Sequence, residues 1–431
     1  MTRRKEALAK IFRRIRKEEL TRLAMDLVNI PSPTGEEGKI AQFIVEWFLF
    51  HGIEAVAQEI EEGRYNAVGR LRGSGKGLSL TFNAHLDTAF SGVAADLPIL
   101  GEIRAWDQPS AYLVEDRIYG QGIVNDKGPL AAFLLAGKAI KESGVELKGD
   151  LILAGVAGEI GIAQVDEYRG SHYRGKGIGT QFLLTHGFTS DYAVVAEPSQ
   201  FGITWALPGV AYFKISVRGE VAYAPFNEPS PEFRMSKNAI LKIIPVIQAI
   251  ESWAERYEEK NQYRFSGGLI RPKVLVGAIA GGRPYKPNTR PAHCAIYVDV
   301  RIPPQRNLPS IEEEFRRAIA ESGVETKVEL YLYRPGYEGQ GVEPLVETVR
   351  QAYRFVFKKD PQPIRSPYTS MWNDNNIYHM FGIPAVKWGP SPRGNVGDYS
   401  HQTQDDLWRA AQVYAAVAWD ICSRERVQDK E

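Results

Sequence analysis

Two imidazoles and three carboxylates, His85, Asp126, Glu159, Glu197 and His401, stand at points where the sequence pattern changes abruptly. A mixed nitrogen and oxygen set of this kind suits zinc, manganese or cobalt and is too rich in nitrogen for calcium or magnesium. It suffices for two ions if one carboxylate bridges them. Such a pair, about 3.5–4 Å apart, lowers the pKa of a shared water and polarises a substrate carbonyl, which is hydrolytic chemistry. Zinc is the first expectation, manganese and cobalt the alternatives, with one or two ions per chain.

The elements around these residues give them a common address. Leu78 to Phe82 is a short apolar run bounded by Gly77, and reads as a buried strand. His85 and Asp87 follow its carboxyl end, the edge where open α/β sheets place ligands. Two apart on extended chain, they point the same way, so the Asp87 carboxylate is expected to brace the imidazole. Taken alone, a histidine beside an aspartate is more often a surface loop; the later carboxylates reverse that weighting. Asp126 lies just before Gly128 and Pro129, which open the apolar helix Pro129 to Ile140. An aspartate there is ordinarily a helix cap. Two further apolar runs, Leu151 to Ala157 and Tyr192 to Ala196, lead into Glu159 and Glu197. A glutamate at the end of a buried strand is costly unless paired or coordinated.

The remaining pattern predicts two domains within 431 residues. An opening helix with Leu8, Ile11, Ile15, Leu20 and Leu23 on one face is followed by a helix to about His51, with Thr34 and Glu37 as a capping box. Strands are expected at Ile53 to Ile60 and Asn66 to Leu71. From Val210 the periodicity changes: a half-buried strand to Val217, a helix over roughly Ser236 to Lys260, strands Val274 to Ile279 and Ala295 to Ile302, a helix Ile311 to Ser322 and a strand Lys327 to Tyr333. That β-α-β-β-α-β order is ferredoxin-like. The α/β pattern then returns, with Thr403 capping the last helix. The fold class expected is therefore α/β: a mixed, mostly parallel sheet flanked by helices over 1–208 and 335–431, with an inserted ferredoxin-like α+β domain over 209–334.

Composition excludes several function classes. Net charge is +1, with 44% apolar and 24% charged residues, so nothing favours nucleic acid or an anionic membrane as partner. Cys294 and Cys422 are the only cysteines and cannot build a thiolate zinc cluster or a disulfide framework. No apolar stretch is long enough to span a bilayer, and the basic start carries Glu6, Glu18 and Glu19, which argues against a transit peptide. A cytoplasmic setting is expected.

On Asn83 to Thr88, Gly120 to Ala132, Gly158 to Gly161, Ala196 to Ser199, Gly382 to Pro390 and the context of His401, the chain resembles the metallopeptidase/deacylase family of acetylornithine deacetylase, succinyl-diaminopimelate desuccinylase, aminoacylase and bacterial glutamate carboxypeptidase. The resemblance implies Asp126 as a bridging ligand, His85 and Glu197 completing one metal, Glu159 and His401 the other, and Asp87 orienting the machinery. From the inserted domain, a lid, it implies Arg301 and Asn288 as substrate contacts, and dimerisation through that lid. Arg301 reads equally as a salt-bridged strand residue.

Three departures stand out. The family carries two adjacent glutamates, a base and a ligand, where this chain has Gly158-Glu159, so Glu159 is ligand in one register and base in the other. The family's lid histidine aligns with Tyr223, whose hydroxyl donates a hydrogen bond but does not become a cation near neutral pH. A long polar stretch, Ala163 to Ser190, separates the two glutamate strands. Asp374 lies among Tyr368, Trp372 and Tyr378, as substrate-pocket wall or as plain core. The leading expectation is a metal-dependent hydrolase of an amide-type C–N bond in a small carboxylate-bearing substrate, such as an N-acyl amino acid or small peptide, with Asp87, Glu159 and Tyr223 as its catalytic residues. An aminohydrolase acting on an aromatic amine and a non-catalytic metal- or ligand-binding homologue are the alternatives.

Overall fold

The computed structural model describes residues 2–390 and 399–426. The chain divides into two compact units: Met1–Trp205 with Gly339–Tyr368 and Asn373–Glu431, and Ala206–Glu338 with Thr369–Trp372. These limits lie within a few residues of 208 and 335.

In the first unit a six-stranded sheet runs in the order Glu54–Glu61, Arg64–Leu71, Leu151–Val156, Leu80–His85, Tyr192–Val195, Ala385–Lys387. The first three strands pair antiparallel and the last four parallel. Every residue of Leu80–His85 and Leu151–Val156 is buried, as expected of strands covered on both faces. Register then fixes the address of the chemistry. Leu80 lies opposite Leu151 and His85 opposite Val156, so the chain leaves both strands at one edge, towards Asp87 and Glu159. Asn83 faces Val195, and its carbonyl accepts Ala196 N–H at 2.7 Å, which brings Glu197 out at the same edge. The helix Gly128–Ser143, buried from Gly128 to Ile140, packs beside Gln404–Cys422.

Three details correct the sequence reading. The opening helix is two, Thr2–Phe12 and Lys17–Val28, though Leu8, Ile11, Ile15, Leu20 and Leu23 are all buried as the periodicity requires. Thr34 and Glu37 form no capping box for Gly38–Phe50. Thr34 donates instead to Asp87 (2.8 Å), and Glu37 takes the fully buried Arg64 guanidinium (2.6 and 2.8 Å), a charge-assisted pairing stronger than a neutral cap. Pro245 begins a new helix, so Ser236 to Lys260 resolves into Ala239–Lys242 and Ile244–Lys260. The stretch from Leu97 to Gln121 contains a hairpin, Tyr112–Val114 with Arg117–Tyr119, and His401–Thr403 adds a third strand to it.

The second unit holds a four-stranded antiparallel sheet ordered Val274–Gly281, His293–Ile302, Gly209–Arg218, Thr326–Arg334. The helices Ile244–Lys260 and Leu308–Ala320 share its core through Ile250, Trp253 and Phe315 against Phe213 and Ile215. Element order and sheet order are both those of the ferredoxin-like arrangement.

Candidate metal centre

His85 ends its strand at 1% exposure. Its Nδ1 lies 2.8 Å from the Asp87 backbone carbonyl, which fixes the ring and leaves Nε2 for a ligand. Nε2 faces Asp126 Oδ2 at 3.5 Å and Glu197 Oε1 at 3.9 Å. One ligand atom from each of these three residues lies within 4.8 Å of the others, all three buried. One imidazole and two carboxylates converging at this spacing form a donor set that fits a divalent transition ion.

The electrostatics describe a centre short of positive charge. Burial opposes the His85 imidazolium, but Asp126, Asp87, Glu159 and Glu197 outweigh it and raise its pKa to about 10. Burial, then Glu197, pushes Asp126 well above the usual carboxylate range. Glu159 is also raised by burial, with Lys176 the strongest opposing influence.

The braces are not those the spacing suggests. The backbone carbonyl of Asp87, rather than its carboxylate, holds the imidazole; the nearer carboxylate oxygen is 3.6 Å away. That carboxylate instead accepts Glu159 N–H (3.1 Å), Ile160 N–H (3.0 Å) and Thr34 Oγ1–H. Strand pleat favours same-side side chains, but two free amides in the turn after Val156 are stronger claimants.

Glu159 and His401 are not in the cluster. Glu159 is 5% exposed beside it. His401 is half-buried opposite Tyr119, its ring 5.2 Å from the Tyr119 ring and its Nδ1 3.1 Å from Ser400 Oγ. Asp374, expected to contact substrate, is fully enclosed: it accepts Thr180 Oγ1–H at 2.7 Å, and Thr180 accepts from Asn83, which also donates to the Tyr378 hydroxyl. Burial and Glu159 hold the Asp374 carboxyl well above its ordinary pKa. In the second unit Arg301 is bound bidentately by Asp299 (3.0 and 2.9 Å), the salt-bridged alternative. Tyr223 is exposed and pairs with Thr289, and the Asn288 carbonyl accepts Ala224 N–H.

Four residues were not legible as part of this site. Asn125, with its amide oriented to suit its neighbours, donates to Asp126 Oδ1 (3.1 Å) and Glu197 Oε2 (3.3 Å) and accepts from His85 Nε2 (3.2 Å). Lys176 and Lys387 are buried near the carboxylates, and Tyr399 is influenced by Glu197 and Asp126. A lysine inside the apolar run Ile383 to Trp388 is the one signal that could have found any of them. Next to Asn125 opens a cleft of about 660 Å³, lined by Thr88, Phe90, Arg104, Trp106, Gln121 and Tyr399 among others. Gln121 is buried there, with both amide atoms unpaired.

Fold and site together define a metal-dependent hydrolase. A sequence profile of Peptidase family M20/M25/M40 matches residues 81–420, and the chain belongs to that family, whose hydrolases act on amide bonds and bind divalent metals. The N-formyl-4-amino-5-aminomethyl-2-methylpyrimidine deformylase of Halalkalibacterium halodurans is 28% identical over 427 residues, spanning 91% of this chain and 90% of its own. Human carnosine dipeptidase 1 shares the fold with a TM-score of 0.71 at 15% identity, over 96% of this chain and 98% of that one. The Bacillus subtilis YXEP protein, a dinuclear metal-binding peptidase, does so at 0.61 and 15% identity, over 94% and 98%. No helix among the described residues is long and apolar enough to cross a membrane.

Proposed function

We propose that this chain hydrolyses an amide-type C–N bond in a small carboxylate-bearing substrate, an N-acyl amino acid or short peptide, with a divalent ion, zinc first, held by His85, Asp126 and Glu197. The observation that carries the reading is the convergence of these three side chains at one sheet edge beside an open cleft. When bound, such an ion supplies an acidified water and polarises the scissile carbonyl. The protein's own part begins with Asp87, whose backbone holds His85 in the ligating orientation and whose side chain holds the amides of Glu159 and Ile160. Glu159 is an acidic group buried beside the three-residue cluster, and we assign it the proton-carrying role. Burial raises its pKa, the direction a proton carrier needs.

Phe90, Trp106 and Tyr399 give the cleft an aromatic lining, which favours an acyl or amine part carrying a ring. Arg301, Asn288 and Tyr223 are proposed as substrate contacts on the family resemblance, and Arg301→Ala is expected to raise KM for carboxylate-bearing substrates.

The test is turnover of N-acyl amino acids and dipeptides by zinc- and manganese-loaded protein before and after chelation. Loss on chelation and recovery on metal return support the reading. Hydrolysis that survives complete metal removal overturns it, and ammonia release from an aryl amine without amide turnover transfers it to the aminohydrolase class.

A further inference from the structure

We propose that Thr180 and Asp374 are positioning residues of the metal centre: through the buried chain Asp374–Thr180–Asn83 they fix the strand ends from which His85 and Glu197 reach the ion. This role rests on the proposed centre of His85, Asp126 and Glu197, and neither residue belongs to that centre.

Asn83 is the junction. It stands two residues before His85 on a strand that is buried throughout, so the two side chains leave the sheet on the same face. Its backbone carbonyl accepts Ala196 N–H at 2.7 Å, one residue before Glu197. A shift of Asn83 therefore moves both ligands. The Asn83 side-chain amide donates to Thr180 Oγ1 at 2.8 Å and to the Tyr378 hydroxyl at 3.2 Å, which uses both of its hydrogens. Thr180 has one hydroxyl hydrogen and gives it to Asp374 Oδ2 at 2.7 Å. The chain thus runs in a single direction, and all four side chains are buried.

Asp374 is committed to this chain. It precedes the helix Asn375–Met380 at the position where an aspartate ordinarily caps the free N–H groups, yet its carboxyl takes none of them. Its Oδ1 has no partner, and its Oδ2 has one neutral hydroxyl. A carboxylate so placed would be an uncompensated buried charge, whereas the neutral acid costs no more than a polar group. Asp374 is therefore the neutral acid, a form that burial and the neighbouring charge of Glu159 both favour.

Thr180 also ties the chain to the other side of the site. It lies in the first turn of the helix Ile178–Thr185, one residue after Gly179. Gly179 N–H donates to Ala157 O at 3.0 Å. Asn66 bridges the same pair, accepting Ala157 N–H (3.0 Å) and donating to Gly179 O (2.9 Å). A Cβ on Gly179 would lie 2.3 Å from Ala157 O, so the two backbones meet directly. Ala157 leads into Gly158 and Glu159. One helical turn is thus bound both to the strand that carries His85 and to the turn that carries Glu159. A buried polar network of this kind holds one arrangement against its alternatives.

The experiment is zinc binding by the metal-stripped, intact chain, measured by calorimetry, with circular dichroism and thermal unfolding of the metal-free protein beside it. Thr180→Val cuts both bonds of the hydroxyl. It is expected to weaken zinc binding by about 10-fold, the lower end of what outer partners of a metal ligand contribute. Thr180→Ser keeps the hydroxyl and should bind as the unaltered chain does. Asp374→Asn keeps an oxygen for Thr180 and carries no charge, so it too should bind normally. A folded Thr180→Val protein with unaltered zinc affinity overturns the positioning role, and so does a Thr180→Ser protein that binds as poorly as the valine variant. Asp374→Asn binding as weakly as Thr180→Val overturns the neutral assignment. An unaltered chain that binds no zinc overturns the metal-centre reading itself, which the other outcomes leave standing. Where the valine variant does not fold, Thr180→Val with Asp374→Leu removes both partners of that bond, leaves no unpaired carboxyl, and is read in the same way.

Discussion

Asp87 holds Glu159 by its backbone: the aspartate Oδ1 accepts Glu159 N–H at 3.1 Å, and the residue's own carbonyl lies 2.8 Å from His85 Nδ1. One residue therefore positions both the proposed metal-binding imidazole and the proposed proton carrier. Asp87→Asn preserves the backbone contact but places an amide NH₂ where three donors converge. The imidazole should stay in place while the Glu159 turn loosens. We expect kcat to fall by about 10–100-fold with metal content unchanged. Metal analysis beside steady-state kinetics checks it; loss of the ion would mean that the carboxylate, not the carbonyl, braces His85.

Glu159→Gln separates the two roles open to this residue. A lost proton carrier costs roughly 10²–10⁴-fold in rate. On the proposed role the variant should fall in that range and retain its metal, because the candidate group His85, Asp126 and Glu197 does not include Glu159. A variant that loses metal would place Glu159 among the ligands.

What could be read from the chain and what could not divides along physical lines. His85 and Glu197 were legible because each follows a buried strand, and parallel register makes the ends of such strands coincide. Asp126 was legible from the helix that starts just after it. Glu159 and His401 have the right residue types, but membership of the cluster depends on ångström-scale placement that no local pattern encodes. Thr34 and Glu37 match a capping box perfectly; Asp87 and Arg64, distant in sequence, claim both side chains. Asn125 carries no signal of its own, since an asparagine in a loop is ordinary. The polar stretch that delivers Lys176 has no periodicity, so nothing in it announces a buried charge.

His379 should make the fold acid-sensitive. The ring is half-buried, its Nε2 lies 3.0 Å from the Asn375 amide, and loss of water around it lowers its pKa from 6.5 to about 4. A histidine depressed in the folded state contributes stability that is complete above its unfolded pKa. That contribution is lost as pH falls through 6.5 towards 4, because the unfolded chain takes up the proton first. The loss is on the order of 3 kcal/mol across that window. Urea unfolding at a series of pH values should show it, and His379→Gln should flatten this limb of the profile; an unchanged slope in the folded variant would assign the acid loss to other groups.

Gly158 is where this chain departs from its family's paired glutamates, and the surroundings show why a side chain is absent. Its φ is +69°, and a Cβ there would lie 2.7 Å from Ile178 Cγ1 and 2.8 Å from Arg64 Nη2. Arg64 cannot yield easily: its guanidinium is fully buried and bound to Glu37 and to the carbonyls of Ser171 and Arg174. A left-handed residue other than glycine costs about 1–3 kcal/mol before any clash is counted. Gly158→Ala should therefore destabilise the fold by at least about 1 kcal/mol, and Gly158→Glu, which restores the family's residue, should destabilise it further without raising kcat. Thermal unfolding with kinetics on both variants decides the matter. A stable Gly158→Glu protein with faster turnover would show that the cavity beside Arg64 can open, and that the proton-carrying role belongs to position 158 after all.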